Sequence, residues 1–586
     1  MEMLRAVLEL LTLPGLATIA PAANKWLLRA LVLLQHVVLD LSTDLRDRCL
    51  ASIEAFERSS EFALLNKSAA AVHHVETVYV YLTYFELEKA TAALERACVL
   101  GHVAVELTGQ LGKRTKFQHK DVAQLMVQKR SAADTEEDRS DVSARESATT
   151  ACIPSGELPK NCALNSEVLL ETVQLTEDAK EAPLTWWTSL EQLVALASFS
   201  VERRVAPRDV FTFEKGLAFV EAVLAHPQNY SVQYRALYER CRLEDSSMKR
   251  SRDAPFEDRF DMFFASGLPP IWRVLQLQGS ILRKLGCVRE ALSVYERLND
   301  WENQIECYRS LGKLDHAKSM VRDLLETAEG EKKLLLLCFL GDITNNDAYY
   351  RQAWEESGEK CARAARGLAL YHLRSNQLSD SLKWYQAAVR RLPLDYGSWF
   401  NLGYVAMQLK DYETSSSAYY QCSRLEPDSF EAWNNLAASY LHRNQKEKAF
   451  AILKQAIKYD FENWKVWDNY LATATDLQQL SEAIRAYHRL IDLKSRQQLS
   501  GDDDVLEKLA EIANRMVEHN PDKADSMLAL RRKLRELFGR VAASGAVGAR
   551  MWRAYASLFD ATDSEEAEKK AQLLQKAYQA QLRTTD

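Results

Sequence analysis

Asparagine stands at the same point of three consecutive 34-residue units, as Asn401, Asn435 and Asn469. A primary amide offers both a donor and an acceptor, so it can bond the N–H and C=O of an extended peptide without reading the peptide's side chains. Three such amides in register would hold successive stretches of one ligand. The competing reading is a polar residue tolerated on a solvated groove. Tyr404 and Lys465 share the stripe. One unit earlier Gly367 takes the asparagine's place, and Arg363 and Arg374 flank it, where they would favour an acidic peptide or form a solvated basic face. A second basic group, Lys113, Arg114 and Lys116, stands beside Gly109 and Gly112. Its loop-like composition suits contact with a phosphate or an acidic partner, and equally an exposed connection whose cations cap a helix C-terminus.

Catalytic signatures are missing. No GxGxxG precedes a helix, and neither HExxH nor GxSxG occurs. A phosphate loop around Gly112 and Lys113 would need glycine at Leu107 and a hydroxyl at Arg114. His73 and His74 are adjacent, so on a helix they point about 100° apart rather than sharing a metal, and they read as a partly exposed pair. The chain therefore reads as a non-enzymatic binding protein with no cofactor and no metal.

The elements that must position the asparagines follow from Trp399, Trp433 and Trp467, which are again 34 residues apart. Trp433, Leu436, Ala437 and Tyr440 fall on one face of a 3.6-residue helix, and Ala449, Leu453 and Ala456 form the matching face of the next. Counting from Trp399, Asn401 and Tyr404 lie about 200° and 140° round the helix, opposite the core. A 34-residue helix–turn–helix period is that of the tetratricopeptide repeat. A small residue early in each second helix runs through Ala291, Ala317, Ala348, Ser381, Ser415, Ala449 and Ala483, at intervals of 26, 31, 33, 34, 34 and 34. The array thus spans 269–494, with shorter, irregular units at its start.

The expected fold class is all-α, a tetratricopeptide-repeat α-solenoid with an N-terminal helical region and C-terminal capping helices. Residues 1–128 read as helical, and 129–157, rich in serine, threonine and mixed charge, as a disordered loop or linker. Residues 158–268 read as helical with a charged interruption at 244–261, and 502–586 as capping helices that cover the last apolar face. Seventy-five basic against 82 acidic residues leave a net charge of −7, which argues against a direct nucleic-acid surface. Ten cysteines without a CxxC pair fit a reducing compartment, and the apolar run Trp26–Leu39 is too interrupted to cross a membrane. The N-terminus, with Glu2 and Glu9, lacks the basic start of a secretory signal.

Two stretches carry a closer resemblance. LTGQLGKRTKFQ at 107–118, followed by LPKNCAL at 158–164, and the run from Trp433 to Tyr470, with WNNLAASY and KAFAILKQAIKYDFENWKVWDNY, resemble the tetratricopeptide repeat protein 27 family. The resemblance implies a helical-repeat scaffold or adaptor in the cytoplasm, with the nucleus as a second compartment, and a chaperone-associated assembly role. Its partners would be proteins or peptides. A carboxylate clamp for chaperone tails is not expected. Asn435 and Lys465 match that clamp, but Phe400, Tyr404 and Asn469 replace its first Lys, first Asn and final Arg. An RNA-processing factor and an enzyme with a site in 1–260 are the alternatives.

Overall fold

The computed structural model describes residues 2–13, 22–38, 40–115, 122–129, 169–175, 187–206, 210–244, 262–493, 503–519, 524–544, 548–560 and 564–585. The expected linker, apart from Lys129, and the charged interruption beyond Glu244 lie outside them. Contacts divide the chain into two compact units, 1–371 with 386–395, and 372–385 with 396–586.

In the first unit, α1 (Glu2–Leu11), α2 (Ala23–Val37), α3 (Thr43–Glu57), α4 (Ser60–Ala63), α5 (Lys67–Thr83) and α6 (Leu87–Gly101) precede a small sheet. After it come α7 (Ser189–Val205), α8 (Val210–Ala225) and α9 (Tyr230–Glu244). Leu28, Leu31, Cys49, Ile53, Val75, Val78, Leu193 and Leu196 form one core. α5 lies at its centre and is covered nearly all round. His73 and His74 are consequently buried at 0% and 4% exposure, not partly exposed as the sequence suggested. Phe56 and Phe62 stand edge-on to the His73 ring at 5.0 and 5.4 Å. Glu239 is also buried, and its carboxylate meets Arg203 and Arg235, each at 2.6 Å. Paired this way, the charge avoids the penalty of an isolated buried ion.

The sheet corrects the readings of both 1–128 and 158–268 as helical, since its third strand falls in the latter. β1 (Val105–Thr115) pairs antiparallel with β2 (Val122–Lys129) and β3 (Leu169–Leu175), in the order β2-β1-β3. Val105 and Leu107 alternate toward Leu125 and Val127, and this face packs on Ala195 and Phe199 of α7 and Phe219 of α8. Lys113 and Arg114 belong to a strand, not to a loop, because LGKRT continues that ladder. Lys116 lies outside the described residues.

Helical hairpins follow. α10 (Ile271–Lys284) and α11 (Val288–Arg297), α12 (Trp301–Ser310) and α13 (Leu314–Thr327), and α14 (Gly330–Thr344) and α15 (Asp347–Glu356) precede α16 (Ala362–Arg374) and α17 (Leu378–Arg391). The second unit continues with α18 (Tyr396–Gln408) and α19 (Tyr412–Leu425), α20 (Phe430–His442) and α21 (Lys446–Tyr459), and α22 (Trp464–Asp476) and α23 (Leu480–Leu493). α24 (Asp503–His519), α25 (Ala524–Ser544), α26 (Ala549–Ser557) and α27 (Ser564–Thr585) follow. Leu506, Leu509, Leu534, Leu537 and Phe538 of α24 and α25 join the core formed by Trp467, Tyr470, Leu471, Ile484 and Tyr487. They cover the apolar face that the last hairpin would otherwise expose.

The small-residue series holds with one displacement. Ala291, Ala317, Ser381, Ser415, Ala449 and Ala483 are each the fourth residue of their helix, and all are fully buried. In α15 the fourth residue is Tyr350, buried at 6%, and Ala348 is exposed. The neighbouring helices compensate by losing bulk. A Cβ on Gly341 of α14 would lie 2.6 Å from the Tyr350 ring, and one on Gly367 of α16 would collide with the same ring. The exchange recurs at a later position of the second helix, where Tyr295 fills the hollow at Gly279 and Tyr419 the hollow at Gly403, each pair 16 residues apart. Two of the period-setting tryptophans have a second task. Trp433 Nε1 donates to the Pro427 carbonyl and Trp467 Nε1 to that of Phe461, both at 2.8 Å, fixing the turn that leads into each helix.

These contacts give two expected outcomes. Alanine exceeds glycine in helix propensity by about 1 kcal/mol, but a Cβ on Gly403 would stand 2.9 Å from the ring of the buried Tyr419. Gly403→Ala should therefore lower stability by about 1–3 kcal/mol net of that gain, read as the midpoint of chemical denaturation; a rise in the midpoint contradicts the packing. In the first unit, burial pushes the His36 imidazole down to about 4, with the positive charges of Arg273 and Arg235 adding to it. Between the ordinary value of 6.5 and that value the unfolded chain binds the extra proton, so the stability is present above the window and lost as pH falls through it. From pH 7 to 5 the loss should be about 2 kcal/mol, and His36→Asn should remove it; an unchanged pH slope would refute the assignment.

Candidate partner-binding face

α18, α20 and α22 place the three asparagines. Ser429 accepts from the Ala432 N–H and Asn463 from the Lys465 N–H, which starts two of these helices at matching points. Leu402, Val405 and Ala406, then Ala432, Leu436 and Ala437, then Val466, Trp467 and Leu471, are buried on one face. On the other, Tyr404 is 45% exposed, and Gln408, Glu431, His442, Lys465, Ala472 and Asp476 are exposed. Ala438, which the sequence count also puts on the outward stripe, is half-buried.

Asn401, Asn435 and Asn469 lie between these faces, half-buried. Asn469 Nδ2 donates to Asn434 Oδ1 of the preceding first helix at 2.8 Å. The Asn435 side chain is hydrogen-bonded to the hydroxyl of Tyr419 in the preceding second helix. Burial raises that phenol, and the Asn435 bond works against the rise. Gly367, the equivalent position one unit earlier, meets Tyr350 in the same sense. This position therefore faces the preceding hairpin as well as the solvent. An amide has two N–H donors and an acceptor with two lone pairs, so one bond to a neighbouring helix leaves Asn435 and Asn469 with capacity for a ligand. The sequence did not anticipate these bonds, although Tyr419 and Asn434 themselves were visible.

Beneath the face runs a buried polar seam. The Ser415 hydroxyl donates to the Gly403 carbonyl at 3.0 Å and lies 2.9 Å from the Ser439 hydroxyl, which donates to the Asn435 carbonyl. It links α18, α19 and α20 through groups too small to hold the helices apart.

The basic residues divide. Arg374 is exposed at the end of α16. Lys465 is exposed, with its ammonium 5.9 Å from the Trp464 ring centre. Arg363 belongs to the first unit and is engaged there, 3.4 Å from Asp342 and 4.0 Å above the Phe339 ring. It is not a free flank of the stripe. Lys113 is half-buried in β1, away from these helices in sequence and in the other unit. Among the described residues, no group of three His, Cys, Asp or Glu side chains is placed to hold a metal ion, and no helix is long and apolar enough to cross a membrane.

Comparison with known proteins agrees with the repeat. The tetratricopeptide repeat family model matches residues 347–396, 366–421 and 400–462. The tetratricopeptide repeat-containing protein trd-1 of Caenorhabditis elegans is 30% identical over 541 residues, covering 86% of this chain and 68% of that protein. A TPR repeat-containing protein of Schizosaccharomyces pombe is 28% identical, over 78% of this chain and 61% of its own length. The tetratricopeptide repeat protein 27 homolog of Dictyostelium discoideum is 27% identical, over 59% and 41%. Of the latter two relatives the chain thus spans less than two thirds. Among solved structures, the TPR protein YrrB matches 34% of this chain and all of its own at 12% identity and a TM-score of 0.25.

If the asparagines tie successive units together, Asn434 and Asn469 must be coupled. Asn469→Ala and Asn434→Ala should each destabilise the second unit, and the double variant should fall short of the sum by about 0.5–1.5 kcal/mol. Strict additivity in a denaturation cycle would remove the bond from the account.

Proposed function

The chain belongs to the tetratricopeptide repeat protein 27 family, and on that premise we propose that it is a non-enzymatic scaffold that holds an extended segment of a protein partner across α18, α20 and α22. Tetratricopeptide repeat proteins act as protein-interaction scaffolds. The observation that supports this site is the periodic open face, with Tyr404 exposed, Lys465 exposed, and the three asparagines each at its edge. Main-chain bonds to the remaining amide capacity would give affinity, and Tyr404 would supply apolar contact with a polar tip. Lys465 and the exposed Arg374 favour an acidic segment.

An assembly role beside chaperones fits this reading only through a surface other than a carboxylate clamp, since Phe400 is half-buried and Tyr404 and Asn469 stand in the clamp's place. The eight described cysteines are free thiols, which supports the cytoplasm, with the nucleus as a second compartment.

The test is a capture experiment with the variant Asn401→Ala/Tyr404→Ala/Lys465→Glu, which spares the inter-unit bonds of Asn435 and Asn469. The helical circular dichroism should be unchanged and binding to each partner that the wild type captures should fall at least about tenfold, since one lost contact alone weakens binding by roughly 0.5–1.5 kcal/mol. In the wild-type complex, hydrogen exchange should slow in α18, α20 and α22. A folded variant that keeps its full set of partners overturns the site.

A further inference from the structure

One side-chain pair in the first unit has a chemistry that repeat packing does not require. Cys361 is the residue immediately before α16, and its sulfur accepts the backbone N–H groups of Arg363 and Ala364, as a helix N-cap does. The turn beneath it is built to hold it there. The Ser357 hydroxyl oxygen accepts from the Cys361 N–H at 3.0 Å and from the Lys360 N–H at 3.1 Å. The thiol of Cys338, fully buried on α14, is hydrogen-bonded to Cys361. Cys361 itself is half-buried, so a small molecule reaches it while Cys338 stays covered.

We propose that Cys361 and Cys338 are an oxidation site, in which peroxide oxidises Cys361 and Cys338 then closes a disulfide between α14 and the start of α16. In the first step the Cys361 thiolate attacks one peroxide oxygen; an S–O bond forms, the O–O bond breaks, and hydroxide leaves. Sulfur is oxidised by two electrons to the sulfenic acid and the peroxide is reduced. In the second step the Cys338 sulfur attacks that of Cys361, an S–S bond forms, the S–O bond breaks, and the Cys338 proton leaves with the oxygen as water.

The electrostatics favour this division of labour. The hydrogen bond from Cys338, together with the two backbone N–H groups and the Arg363 charge, holds the Cys361 thiol below the usual thiol range against the opposing effect of burial. The same hydrogen bond and burial raise Cys338, which keeps it protonated until the attacked sulfur stands before it. Burial likewise raises Cys49, Cys98 and Cys307, in keeping with thiols that serve as apolar filler. Cys287 supplies the internal control. It too precedes a helix and is exposed, but its side chain caps nothing.

The experiment uses the full chain, treated with hydrogen peroxide near neutral pH, alkylated and mapped by mass spectrometry. A peptide pair joined through Cys338 and Cys361 should appear, lose the crosslink on reduction with a dithiol, and form roughly tenfold faster than any oxidation at the more exposed Cys287. Cys338→Ser should stop at the sulfenic acid, captured at Cys361 by a cyclic dione. Cys361→Ser should leave Cys338 reduced. If either substitution disturbs folding, the wild-type rates of alkylation near neutral pH decide: Cys361, although less exposed, should be alkylated faster than Cys287. Oxidation of Cys287 ahead of Cys361, or a Cys361 disulfide to any cysteine other than Cys338, overturns the proposal.

Discussion

The hairpins depend on how closely two helices can approach. At the fourth residue of each second helix the space left by the first helix is small, and alanine or serine fills it without holding the axes apart. Where the sequence places a tyrosine there, as at Tyr350, the bulk must be removed from the neighbours, and Gly341 and Gly367 are the result. Tyr295 with Gly279 and Tyr419 with Gly403 apply the same exchange further along the helix. Close packing leaves no other solution, because an interior at crystal-like density has no room for an additional methyl group.

This constraint reaches the candidate site. Gly367, Asn401, Asn435 and Asn469 occupy one position of the repeat, and at Gly367, Asn435 and Asn469 that position looks back at the preceding hairpin. In the first of these the neighbour is a ring that excludes any side chain; at Asn435 and Asn469 it is a hydroxyl and an amide, which a polar side chain can satisfy. The end of the asparagine stripe at Gly367 is thus a packing event. The proposed partner face and the seam that joins successive hairpins share residues, so on that proposal loss of Asn435 or Asn469 would affect both stability and binding.

Much of the second unit was legible in the sequence, since period, core face and open face are all consequences of 3.6-residue geometry repeated every 34 residues. The irregular start was less so. Ala348 satisfied the small-residue pattern by type, and only the position of the helix start shows that Tyr350 holds the buried slot. The strand at 105–115 was hidden because glycine, lysine and arginine obscured the alternation that puts Val105 and Leu107 on one face with Leu125 and Val127. His73 and His74 were misread as partly exposed because adjacency on a helix says nothing about how many neighbours surround it. Arg363 looked like a free cation because Asp342 and Phe339 are distant in sequence.

The central claim, that bulk at the hairpin contact is exchanged between helices, is tested most directly by a double-mutant cycle on Tyr350 and Gly367. In the wild-type background Gly367→Ala should destabilise the protein, because its methyl group meets the Tyr350 ring. In a Tyr350→Ala background the same substitution should be neutral or stabilising, as alanine's helix propensity is then unopposed, giving a coupling of at least about 1 kcal/mol by chemical denaturation. Equal effects in both backgrounds would contradict the exchange and leave the glycine without a packing role.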